Sequence, residues 1–118
     1  IHEHLHQKLY LLQQRFELIP KQETLVFSPW PNCYRPPIGA LHAVYVFTHV
    51  ADFWRSIMAK GEEENLARDE LESTLGRLEP CINEIEERVI FTDMGALFFE
   101  LVQRDFARLQ EAHQPHYV

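Results

Sequence analysis

The sequence predicts an all-α protein, a four-helix bundle in up-up-down-up order with a long proline-rich loop between its first two helices. Three observations lead there. Apolar residues recur at spacings of three and four along most of the chain, the period of helices that bury one face. Glycine is scarce, at four residues, and the seven prolines are clustered rather than spread; a β-sandwich would need turn residues at regular intervals. The 118 residues, 46% of them apolar and 25% charged, fit a single domain over 1–118 that buries a core without disulfides or metals.

The first helix is expected over about 2–19. Leu5, Leu9, Leu12, Phe16 and Ile19 form one stripe, and Pro20 closes it. In the following loop, over 20–37, Pro20, Pro29, Pro31, Pro36 and Pro37 forbid a continuous helix. It is expected to lack regular structure apart from a short extended piece at Thr24-Leu25-Val26-Phe27, and loops of that length are often functional.

The second helix is expected over about 38–60. Leu41, Val44, Tyr45, Phe47, Phe53 and Trp54 cover nearly every face, so it reads as the central core helix or as one whose second face meets a partner. Lys60-Gly61 is its stop signal. The third helix, about 63–90, carries the cleanest stripe, Leu71, Leu75, Leu78, Ile82, Ile85 and Val89, and Pro80 should kink or restart it. Glu62-Glu63-Glu64 reads as its solvated start. The fourth helix, about 93–112, is capped by Thr92 or Asp93. Its stripe is Phe98, Val102, Phe106 and Leu109, reinforced by Leu97 and Leu101. The long loop lets the second helix run parallel to the first, and the short later links make the next neighbours antiparallel.

The net charge is −7, and residues 62–90 account for it, with ten acidic side chains against three basic ones. This reads as a solvated acidic helix face, with a face for a basic partner surface as the alternative. The chain has no basic stripe, which disfavours nucleic acid as a partner. No apolar run reaches the ~18 residues that span a bilayer, so no membrane role is expected. The first residue is Ile1, which fits a mature secreted protein or a cut piece of a longer chain. Cys33 and Cys81 could form one disulfide or remain two buried thiols, and they leave the compartment open.

No nucleophile motif, glycine-rich phosphate loop or metal-binding spacing is present. No catalytic residue, metal or cofactor is therefore expected, and the chain reads as a non-enzyme. His2, His4 and His6 could approach His113 and His116 if the termini meet, but alternate positions on a helix do not share a face. His42 and His49 lie two turns apart, with Tyr45 and Asp52 on adjacent turns, and a buried His–Asp or His–Tyr hydrogen bond is expected. The candidate partner-binding residues are Phe27, Trp30, Tyr34 and Arg35 in the loop, with Phe47 and Trp54 on the second helix. Aromatic residues and arginine dominate binding hot spots, and prolines lower the entropic cost of presenting them. The competing reading makes Phe27 and Trp30 a cap on the open end of the bundle.

Two resemblances bear on function. Leu75-Gly76-Arg77-Leu78-Glu79-Pro80-Cys81-Ile82 resembles the end of the third helix of interferon-class cytokines (types I and III). Ala40-Leu41 through Tyr45 to Phe53-Trp54 is similar to their second helix, and Leu97 to Leu109 to the helix that follows, over about 38–112 in all. That resemblance implies a secreted receptor ligand, with the first helix, the loop and the fourth helix facing receptors. The cysteine partner of the third helix usually lies near the N-terminus in that family; here the candidate is Cys33. Separately, Gly39-Ala40-Leu41-His42 resembles the Gly-Ala-x-His segment of MRG-type chromatin adaptor domains, over about 36–54. That would imply a helical adaptor binding a partner peptide.

The expectation is a non-enzymatic protein–protein interaction domain, a secreted cytokine-like receptor ligand. The alternative is an intracellular or nuclear adaptor that binds a partner peptide or forms a homodimer through the second helix.

Overall fold

A computed structural model describes residues 2–30, 32–61 and 63–113. Its elements in chain order are α1 (His2–Arg15), β1 (Val26–Ser28), β2 (Cys33–Arg35), α2 (Pro37–Ala59), α3 (Glu64–Arg88) and α4 (Asp93–His113). The described chain is mostly helical, with one small antiparallel sheet.

α1 buries Leu5 and Leu9 but ends at Arg15, short of the expected 19. The chain over 17–22 is instead held open by the link between α3 and α4. Thr92 donates its backbone N–H to the Leu18 carbonyl at 3.1 Å and its hydroxyl to the Glu17 carbonyl at 2.6 Å. The Gln22 amide pairs with both backbone groups of Ile90, at 2.9 and 3.1 Å. These bonds hold 17–22 in a non-helical path across the α3–α4 link, and Pro20 has no N–H with which to continue a helix. Leu18 is therefore the buried residue here, and Phe16 is left 42% exposed, contrary to its expected place in the stripe.

The proline-rich loop is not structureless. β1 and β2 form a hairpin with Val26 opposite Arg35, Phe27 opposite Tyr34 and Ser28 opposite Cys33. Asn32 sits in its turn at φ 68°, a left-handed conformation that asparagine tolerates. Val26 and Ser28 are fully buried. The Phe27 N–H reaches the Glu84 carboxylate on α3 at 3.3 Å, which ties the hairpin to the helices.

α2 opens with Pro37 at its first turn, where the missing N–H costs nothing. It ends at Ala59, and Gly61, at a φ of 75°, closes it with an N–H bond to the Met58 carbonyl. Ala40, Leu41, Val44, Val46 and Ala51 are buried, and α2 touches α1, α3, α4 and β1. Farther along, His49, Asp52, Phe53 and Ser56 are exposed, so the helix is enclosed only over its first half.

α3 buries Leu71, Leu75, Leu78, Ile82, Ile85 and Val89 as expected from the spacing, with Ala67 and Cys81 beside them. It runs through Pro80 without the expected restart. Gly76, whose carbonyl loses its partner to the proline, is exposed like Pro80, so water can satisfy that carbonyl. Thr92 is the cap of α4, accepting the Gly95 N–H at 3.0 Å. The buried face of α4 is Gly95, Phe99, Val102, Phe106 and Leu109. Leu97 and Leu101, expected in the core, are 53% and 50% exposed, and Phe98 is half-buried. Val102, Phe106 and Leu109 are buried as expected, and Phe99 takes the core place expected for Phe98, on the same side as Gly95, which lies against the Leu18 carbonyl.

Candidate functional site

The structure gathers five of the six expected partner-binding residues on and beside the hairpin. Phe27 and Tyr34 face one another across the two strands, edge to face at 5.4 Å. Such a cross-strand aromatic pair stiffens a short hairpin. Tyr34 is 61% exposed. Trp30, past the end of β1, stacks flat on Phe47 of α2 at 4.2 Å with planes 6° apart. Arg35, at the end of β2, lays its guanidinium over Gly39: a side-chain carbon there would stand 2.9 Å from Cζ and Nη2. Trp54 does not join the group. It lies seven residues beyond Phe47, about 10 Å along the axis, and packs edge-on against Phe53 at 5.2 Å.

Tyr10, Gln13, Trp30, Arg35, His42 and Phe47 line an open cleft of about 370 Å³. His42 is buried, and its Nε2 stands 2.8 Å from Gln13 Oε1 on α1. Its ring lies 4.9 Å from that of Tyr10. The Gln13 partner of His42 is thus on α1, a helix other than its own, because its turn of α2 faces α1. Tyr10 and Gln13 were missed as site residues. Both fall off the leucine stripe of α1, which is why they reach the cleft, but only the packing of α1 on α2 reveals it. A second cleft, lined by Arg15, Phe16, Lys21 and Pro36 among others, shares Gln13 and Ile38 with the first.

The remaining reactive groups lie elsewhere. Cys33 is an exposed thiol on β2 and Cys81 a buried thiol on α3; the pair is not joined, and neither the disulfide nor two buried thiols describes them. Burial, with the Glu84 carboxylate second, pushes the Cys81 thiol up to about 12. His49 is exposed and lies edge-on to Tyr45 at 5.1 Å; burial raises the Tyr45 hydroxyl above its ordinary pKa. His113 stands 3.4 Å from Glu72. The side chains of His2 and His6, and all of His116 and Glu62, lie outside the described residues. Among the described residues no group of three or more His, Cys, Asp or Glu could hold a metal ion. No helix among them is long and apolar enough to cross a membrane.

No protein-family model matches this chain, and no curated protein matches it.

Proposed function

We propose that this chain is a non-enzymatic protein–protein interaction domain, its helices ordered up-up-down-up, that meets its partner through the hairpin face. The observation that carries the reading is the exposure of Tyr34 on a strand anchored to the core, beside the Trp30–Phe47 stack. An aromatic held in place before binding loses little entropy on contact, and such residues dominate interface energetics. The hairpin is also where a cytokine-like ligand of the kind the sequence resembles would meet a receptor. The free thiols do not add to that comparison, so it rests on the surface alone.

The test is binding of the whole chain, and of its Tyr34→Ala and Trp30→Ala variants, to an array of receptor ectodomains and to a cell extract. A partner held by the parent and weakened at least about tenfold by Tyr34→Ala, roughly 1.4 kcal/mol, is the expected result. Partners that do not distinguish parent from variants would overturn the reading. Two titratable thiols in protein denatured without reductant would favour the adaptor alternative over the secreted ligand. A dimer through α2 has one observation in its favour, the exposed Phe53. Sedimentation across concentration decides it, since Phe53→Ser should then shift the protein to monomer.

A further inference from the structure

The charge of this protein is unevenly distributed, and so is its pairing. Of eight arginines in the sequence, five are neutralised by a carboxylate three or four residues away on their own helix: Arg55, Arg68, Arg88, Arg104 and Arg108. Among the described residues Arg15, Arg35 and Arg77 have no such partner. Two of those three, Arg15 and Arg35, line the adjoining clefts, together with Lys21. Glu17 is the one acidic residue among the lining residues of both. Residues 1–42, which build most of this surface, hold four bases and three acids. The rest of the molecule therefore carries the whole negative excess.

The same surface is apolar where it is not cationic. Trp30 and Phe47 form one wall, Phe16 is exposed beside the second cleft, and Ile38 lies at the junction. The Arg35 fork is half-buried and aimed over a glycine, an arrangement that holds it at the cleft. A guanidinium takes a carboxylate through two parallel N–H donors, and an aromatic wall takes an apolar side chain.

We infer that the two clefts form one docking groove for an acidic segment of a protein partner, a carboxylate engaging Arg35 and a neighbouring aromatic or aliphatic side chain packing on Trp30 and Phe47. The inference deepens the interaction reading by naming the partner's chemistry, and it rests on that reading. Charge complementarity commits it: a basic segment would be repelled by the groove and drawn to the outer face of α3 instead.

Fluorescence anisotropy with three short labelled peptides tests it on the whole chain. One alternates glutamate with phenylalanine and leucine, one replaces its glutamates with lysine, and one replaces its apolar residues with serine. The first should bind, more weakly as salt rises, and at least about tenfold more tightly than the other two. Arg35→Ala should remove roughly that factor, whereas Arg77→Ala should change nothing. Gly39→Ala keeps the arginine but displaces its fork, so it should weaken the same peptide while circular dichroism stays unchanged. Arg35→Glu should move the preference toward the lysine peptide. Absence of binding by the first peptide, equal binding by the serine peptide, or equal effects of Arg35→Ala and Arg77→Ala would each overturn the proposal. A natural partner lost on Tyr34→Ala but kept by Arg35→Ala would leave the interaction reading standing and remove the acidic groove.

Discussion

Cys81 and Cys33 are chemically the same side chain in opposite settings. Cys81 sits in the core of α3 with the Glu84 carboxylate nearby, so its thiolate is disfavoured and its pKa rises to about 12. Cys33 stands exposed on the hairpin. Iodoacetamide at neutral pH should therefore label Cys33 alone in the native protein and both thiols after denaturation, read by mass spectrometry; rapid native labelling of Cys81 would contradict the burial. The linkage has a definite sign. In the unfolded chain the Cys81 thiol ionises near its ordinary value of 9.0, and in the folded chain near 12. Its contribution to stability is complete below 9.0 and declines as pH rises from there toward 12. The sequence left the state of both cysteines open, because spacing says nothing about which side chains face solvent.

Elements are fixed in place by a few close approaches, and the glycines show which. A side-chain carbon on Gly95 would overlap the Leu18 carbonyl and stand 3.0 Å from the Phe91 ring. One on Gly76 of α3 would meet nothing within 4 Å. Both are helical glycines, so intrinsic propensity favours alanine at each by about 1 kcal/mol. Gly76→Ala should realise that gain and raise the urea midpoint. Gly95→Ala should lower it, with a packing cost of about 1–3 kcal/mol set against that gain, because the obstacle is backbone and cannot rotate away. Equal shifts for the two variants would mean that α4 does not pack on the 17–22 segment as described. The same contact explains why Leu97 and Leu101 were misplaced: a stripe of leucines reads as core until one residue of the helix is pinned elsewhere. The shortened α1 has a related cause, since Phe16 and Ile19 keep helical spacing in sequence while the segment beyond Phe16 is bonded to Thr92 and Ile90 instead. The hairpin was legible only as an extended piece at Thr24–Phe27, because its second strand, Cys33–Arg35, is only three residues long and has no alternating apolar pattern.

At the scale of the molecule, the acidic excess lies on the outer face of α3, away from the apolar stripe that packs on α2. Asp69, Glu70, Glu72, Glu79, Glu86 and Glu87 are all exposed, and like charges along one face repel. Raising ionic strength from about 0.02 to 0.3 M shortens the screening length from roughly 20 Å to 6 Å. The melting temperature should then rise, by about 4 °C if the relief is on the order of 1 kcal/mol. A flat or falling melting temperature would show that the helix-surface ion pairs outweigh the repulsion. The basic groove around Arg35 and Arg15 is the counterpart of this face, and neither is evident from the net charge.

Helix number and the core stripe of α3 follow from the sequence alone, because a period near 3.6 residues survives in any compact arrangement that buries one face. The aromatic residues of the candidate surface could be picked out for the same reason: their types are informative wherever they sit. Which of them stand together, which arginine is unpaired, where α1 stops and which face of α4 turns inward were set by contacts between residues far apart in the chain. Those contacts, Leu18 with Thr92 and Gly95, His42 with Gln13 and Trp30 with Phe47, are steric, stacking and hydrogen-bonding matches. No local spacing encodes them, so tertiary packing alone brings them about.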